Sequence, residues 1–198
     1  RIIWASNRDG GAGGWDLWQA KLQDKRWMEP QPLAVNSAAD EVDPFLSTDG
    51  RWLYFASNRK GGHGGFDLYR AAVAADGSLG RPQNLGPAVN GRQDERSPAL
   101  ADDGRLLFSS NRGGGSGGWD LWRAAAAGEG FAAPVALAGV NTAADELDAS
   151  WLGGGRGLVF ARANASGGAQ LWLSQCRQGQ WGEATLLGLS FNSADGDT

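Results

Sequence analysis

Ser57-Asn58-Arg59-Lys60-Gly61-Gly62-His63-Gly64-Gly65-Phe66-Asp67-Leu68-Tyr69 decides the fold of this chain, because the same phrase occurs twice more. One copy runs from Ser6-Asn7-Arg8 to Trp15-Asp16-Leu17-Trp18, the other from Ser110-Asn111-Arg112 to Trp119-Asp120-Leu121-Trp122. In each copy the aspartate lies nine positions after the asparagine, and the asparagine advances by 51 and then by 53 residues. A recurrence of that period marks an array of one supersecondary unit, too small to bury its hydrophobic face alone. The fold is therefore read from the unit, and the function from what the units present together.

One full period extends over residues 40–93. Pro44-Phe45-Leu46-Ser47 is a short extended run, and Thr48-Asp49-Gly50-Arg51 is a tight turn of the Asp-Gly hairpin type. Trp52-Leu53-Tyr54-Phe55-Ala56 has the apolar character of a buried strand, and Phe66-Asp67-Leu68-Tyr69-Arg70-Ala71 has the period-two alternation of another. Pro82-Gln83-Asn84-Leu85, leading to Val89-Asn90, completes four short strands joined by hairpin-length loops. The next period repeats this with Asp103-Gly104-Arg105, Leu106-Leu107-Phe108 and Pro134-Val135-Ala136-Leu137.

A fourth copy around Asn164 is eroded: Leu158-Val159-Phe160 and Leu171-Trp172 remain, Gln170 stands where the aspartate is expected, and the loop is two residues shorter. The run Ala124-Ala125-Ala126-Ala127 is too short to form a helix alone and matches Ala71-Ala72, a strand end. The expectation is an all-β protein, a β-propeller of four-stranded antiparallel blades with repeats over 1–39, 40–93, 94–144 and 145–194 of a single domain. A sandwich, the competing arrangement, does not require such close internal copies.

Composition narrows the function classes. The 198 residues are 41% hydrophobic and 20% charged, which suits one globular domain. Thirty-two glycines supply turns, and ten tryptophans supply buried area in units too short for a large aliphatic core. A net charge of −4 without a Lys/Arg run argues against nucleic acid, and no apolar stretch has the length for membrane insertion. Cys176 stands alone, so an internal disulfide and a thiolate metal cluster are excluded. The chain opens on the strand-like Arg1-Ile2-Ile3-Trp4, and any leader is expected to lie outside it.

An aspartate shortly before a proline, then Asp-Gly-Arg, an aromatic strand ending in Ser-Asn-Arg and finally Asp-Leu-Trp or Asp-Leu-Tyr resembles the TolB-like, WD-repeat-like β-propeller repeat of bacterial envelope proteins. Asp40 to Ala71 and Asp94 to Ala124 match over nearly the whole unit. The resemblance implies the propeller fold and a periplasmic or otherwise extracytoplasmic location. It does not imply one function, since such blades occur in partner-binding periplasmic proteins, in gating domains of serine peptidases and beside peptidoglycan-binding domains. The chain is also out of phase with the blade. It starts at a second strand and ends on Phe191-Asn192-Ser193-Ala194-Asp195-Gly196-Asp197-Thr198, which resembles the lead Val35-Asn36-Ser37-Ala38-Ala39-Asp40 into a first strand. The innermost strand of the first blade is therefore expected outside this chain, in a longer propeller or in a four-blade ring closed by other residues.

Blade topology places two loop classes on one face: the links over 35–43, 89–95 and 140–148, and the Ser-Asn-Arg loops. This brings Asp40, Glu41, Asp94, Glu95, Asp145 and Glu146 toward the channel mouth, beside Arg8, Arg59 and Arg112. Three readings are open. The carboxylates cap turns and pair with the arginines; or they attract a basic protein or peptide partner; or they hold a cation such as calcium, which takes several oxygen ligands. Asp16, Asp67 and Asp120 each follow Gly-Gly and are expected to accept N–H groups of their own loops, which makes them structural repeat positions with Asn7, Asn58 and Asn111. Trp15, Phe66 and Trp119 are expected to pack between blades, with stacking on sugars as the alternative, and Trp18, Tyr69, Trp122 and Trp172 to lie in the core.

Catalytic motifs fail on their requirements. Gly114-Gly115-Ser116-Gly117-Gly118 has the letters of a nucleophile elbow, but that elbow needs a strand-to-helix turn and a histidine base. His63 is the only histidine, which excludes a serine triad and a multi-histidine metal site. The carboxylates recur by repeat symmetry, whereas a glycosidase needs one asymmetric pair. The expected function is a non-catalytic scaffold that binds a protein or peptide partner through its top face in the bacterial envelope. The alternative is an accessory propeller of an enzyme, as a peptidase gate or carbohydrate-binding unit.

Overall fold

Strand Trp52–Ser57 is buried on both faces, and this is why its aromatic and apolar residues are nearly continuous rather than alternating. It pairs antiparallel with Asp67–Ala72, setting Phe55 opposite Tyr69 and Ser57 opposite Asp67. Glu41–Leu46 lies along its other edge and Gln83–Asn84 closes the far side, so the sheet runs in sequence order. The repeated phrase is thus the hairpin between the second and third strands of a four-stranded antiparallel blade. The chain is all-β, and its four-stranded antiparallel sheets are blades of a β-propeller; the computed structural model describes residues 1–188 and Asn192, and no helix occurs among them. The expected likeness of the last eight residues to a first-strand lead falls outside the described residues, Asn192 excepted.

Two compact units, Arg1–Pro98 and Ala99–Thr198, make up the chain. The first holds the blade above and a three-stranded sheet of Ile2–Ser6, Asp16–Ala20 and Gln31–Pro32. The second holds Leu106–Ser110, Asp120–Ala124 and Val135–Ala136, followed by Glu146–Leu152, Gly157–Ala163, Ala169–Arg177 and Thr185–Leu186. Strand Glu95–Leu100 spans the division.

First strands begin earlier than the sequence suggests, at Glu41 rather than Pro44. The cause is a β-bulge: the register shifts between Val42 and Phe45, and Asp43 takes φ 53°. Pro44, with no N–H to give, sits inside the bulge, where a ladder bond is already missing. Asp148 repeats the device at φ 51°, in a strand whose register shifts between Leu147 and Ser150.

In the first unit Leu17, Leu33 and Val35 of repeat one pack on Leu53, Phe55, Tyr69 and Ala71 of repeat two. The core is therefore the junction between consecutive blades. Each fully buried Leu or Phe contributes about 1.5–3 kcal/mol. A feature not anticipated from sequence fastens the third strands. Asn36 accepts the Leu17 N–H through Oδ1 and donates Nδ2 to the Leu17 carbonyl. Asn90, Asn141 and Asn192 do the same to Leu68, Leu121 and Leu171. The signal was the recurring apolar-Asn dipeptide, whose exposed-looking asparagine is read more readily as a turn residue than as a backbone clasp.

Candidate functional site

The glycine-rich loop of repeat two is held from below by Asp67, which is 1% exposed. His63 N–H donates to its Oδ2 and Gly64 N–H to its Oδ1, and Asn84 Nδ2 adds a third bond to Oδ2. Asp16 accepts the Ala12 and Gly13 N–H groups, and Asp120 those of Ser116 and Gly117. The glycines are required by close approach: a Cβ on Gly62 would collide with the Asp67 carboxylate, and one on Gly64 with the Gln93 carbonyl. The loop is folded against the segment that opens the next repeat.

That segment carries the Asp-Glu pairs. Phe66 N–H donates to Asp94 Oδ1 at 2.7 Å, and Glu95 N–H donates back to the Phe66 carbonyl at 2.7 Å. Trp15 with Asp40 and Glu41, and Trp119 with Asp145 and Glu146, repeat both bonds. Asp40 is clasped again by Asn58, whose Oδ1 accepts the Asp40 N–H and whose Nδ2 donates to Oδ2. The aspartates are thus fasteners between a loop and the following first strand.

Glu41, Glu95 and Glu146 are 0% exposed, so among the carboxylates expected near the channel mouth the glutamates are buried anchors. Glu41 accepts Ser37 N–H, Ser37 Oγ–H and Ser57 Oγ–H and pairs with Arg59 Nη2 at 2.9 Å. The Arg59 guanidinium lies over both Phe55 and Tyr69 and also donates to the Val35 carbonyl. Arg8 over Trp4 and Trp18, and Arg112 over Phe108 and Trp122, occupy equivalent slots. A stacked arginine loses its water to the ring faces and regains it as charge pairing, which suits guanidinium better than ammonium.

Arg162 was not foreseen. It stands on the strand, opposite Gln170, where repeat two has Ser57 opposite Asp67. It nevertheless reaches Glu146 at 2.8 Å and the Val140 carbonyl, and lies over Phe160 and Trp172. Among the described residues no group of three or more His, Cys, Asp or Glu side chains is placed to hold a metal ion.

The outer surface of the loops is less engaged. Trp15 is 45% exposed, and Phe66 and Trp119 are half-buried, with Arg96 lying over the Phe66 ring. Trp18, Tyr69 and Trp122 are buried, and Trp172 is half-buried. In the Asp-Gly-Arg turns, the Ser47 hydroxyl donates to Asp49 and holds its carboxyl below the usual range, and Arg105 does so for Asp103.

No family model and no curated protein matches the chain. Solved structures do. TolB from Acinetobacter baumannii matches with a TM-score of 0.60 and 13% identity, covering 91% of this chain and 39% of its own. A thermostable family-43 glycoside hydrolase matches at 0.59 and 14%, covering 98% and 72%. A puromycin-hydrolyzing peptidase from Mycobacterium tuberculosis matches at 0.52 and 17%, covering 88% and 25%. These likenesses establish the fold. The chain spans about two fifths of the TolB structure's length.

Proposed function

We propose that the chain is a non-catalytic propeller scaffold, outside the cytoplasm of a bacterium, that binds a protein or peptide partner through the face carrying its glycine-rich loops. One observation carries this reading: each loop is fastened at both ends from within while its outward residues differ between copies. Asp16, Asp67 and Asp120 hold the loops from below, and Asp40, Asp94 and Asp145 tie them to the next repeat. The outward positions hold Ala12, His63 and Ser116, with Trp15 beside the first. A loop ordered before binding loses little conformational entropy on binding, and a large aromatic on a rigid support is the usual centre of an interface. In this reading Glu41, Glu95, Glu146, Arg59 and Arg112 hold the frame, and Arg8, Asp40, Asp94 and Asp145 border the partner. The likeness to TolB supports the location.

Peptides selected against the chain from a random display library test the reading by calorimetry. Trp15→Ala is expected to weaken their binding by about tenfold or more with an unchanged melting temperature. Selected peptides that bind this variant as tightly as the parent defeat it. The likeness to a glycoside hydrolase and a peptidase supports the second reading, an accessory propeller of an enzyme. Saturable binding of an oligosaccharide to the Trp15 loop would favour that reading instead.

A further inference from the structure

The three glycine-rich loops share a backbone and differ in charge. Gly10, Gly61 and Gly114 take φ 93°, 90° and 97° at the same loop position. Gly13, Gly64 and Gly117 each press on the carbonyl that precedes the next aspartate, at Ala39, Gln93 and Ala144. Three outward positions set repeat two apart. Lys60 stands where repeats one and three have Asp9 and Gly113, and His63 where they have Ala12 and Ser116. Arg92, in the segment against which the loop packs, stands where the matching segments have Ala38 and Ala143. All three side chains are exposed, and all three lie within the first compact unit.

The contact of Gly64 with the Arg92–Gln93 backbone sets His63 beside Arg92, and Lys60 opens the same loop. The carboxylates nearby are committed inward. Asp67 accepts the His63 and Gly64 N–H groups, Asp94 accepts the Phe66 N–H, and Glu95 is buried. Arg96, the next cation along the chain, is already paired with Asp43. Among the described residues Lys60, His63 and Arg92 enter no ion pair. The outer hairpin of repeat one is different, because there Lys21, Lys25 and Arg26 are interspersed with Asp24 and Glu29. In a chain of net charge −4, the loop of repeat two thus gathers basic groups with no acidic counterpart at the surface. Like charges held together on a fixed backbone repel one another, and an incoming anion relieves that repulsion.

We propose that the loop of repeat two is the docking point for an acidic segment of a partner protein. Lys60 and Arg92 receive its carboxylates, and His63 donates a ring N–H. The backbone beneath is fastened before the segment arrives, so little ordering is required on binding. Exposed cations of this kind set selectivity and encounter rate, and their effect is screened by salt. The proposal rests on the partner-binding reading and names the chemistry of the partner.

The probe is acetyl-hexaglutamate amide, titrated into the full chain by calorimetry at low salt. Binding should be saturable and should weaken as salt is raised. Lys60→Glu combined with Arg92→Glu should weaken it at least about tenfold and confer binding of acetyl-hexalysine amide. That double variant should melt within a few degrees of the parent, because both side chains are exposed. Lys25→Glu, a charge reversal on the outer hairpin, should leave hexaglutamate binding unchanged. Trp15→Ala should also leave it unchanged. If hexaglutamate fails while library-selected peptides still depend on Trp15, this proposal alone is defeated. Four results overturn it: no saturable binding at millimolar peptide; equal binding by the double variant; an equal loss in Lys25→Glu; or inorganic phosphate binding as tightly as the peptide, meaning an adventitious ion only.

Discussion

Repeats two and four build the same buried ion pair from arginines that sit two positions apart. Arg59 follows its strand and folds back from the loop, while Arg162 lies within the strand in the place of Ser57. Both guanidiniums lie between two aromatic rings, both donate to a valine carbonyl, and both reach a fully buried glutamate. The loops share nothing comparable. Repeat two has a glycine-rich loop fastened by Asp67, whereas repeat four has a short turn in which Asn164 Oδ1 accepts the Ser166 and Gly168 N–H groups. One guanidinium arrives from the loop after the strand and the other from the strand itself, and both end in the same slot between the rings and the glutamate. The ion pair is therefore the physical requirement of the blade, and the loop is an addition that repeat four lacks.

The largest test removes the anchors. Glu41→Ala and Glu146→Ala should each cost about 3–5 kcal/mol in urea unfolding, because each strands a largely buried arginine. Equal losses sustain the comparison; a tolerant repeat four breaks it. Exchanging the two designs inside one repeat sharpens it. Arg59→Ser alone leaves Glu41 buried without its counter-charge, at a similar cost of about 3–5 kcal/mol. Adding Ser57→Arg moves the arginine to the repeat-four position and should recover at least half of that loss.

Loop fasteners should matter less, and only where a loop is present. Asp67→Ala orphans two backbone N–H groups and Asn84 Nδ2, costing about 1–3 kcal/mol, while Gln170→Ala at the half-buried equivalent should stay within about 0.5 kcal/mol. Asp16→Ala should fall between them. Pro32 stands opposite Trp18 where Asn84 stands opposite Tyr69, and Asp16 Oδ1 has no partner among the described residues. Differential scanning calorimetry of the three variants checks the order.

The smallest effect is in pH dependence. Asp49 is held ionised by the Ser47 hydroxyl, so its folded pKa lies below its unfolded one. Its contribution is present above the unfolded pKa and is lost as pH falls through the folded value. Repeat four has Gly154 at the matching turn position, so that turn has no carboxyl to titrate. Carboxyl-carbon NMR titration should show Asp49 titrating on the acid side of the ordinary aspartate range. An ordinary midpoint would remove the contrast between the two turns.

Strand positions were legible because burial on both faces leaves a direct trace in the sequence, as in Trp52–Ser57. The loop role of Asp67 was legible too, since an aspartate just after a run of glycines has backbone N–H groups within reach. For Glu41 the sequence left three readings open, and its burial together with the pairing to Arg59 agrees with the first of them, the turn-capping and arginine-pairing one. Arg162 escaped notice because the phrase it belongs to has lost its Ser-Asn-Arg spelling.

By itself the sequence determined the repeat, its strand order and the propeller class. These follow from period and alternation, which are local properties of the chain. Only the tertiary structure decided which polar residues are structural. A carboxylate is a site or an anchor according to the donors that converge on it, and here Ser57, Asn58 and Arg162 lie 16 to 18 residues away, on or just after an adjacent strand.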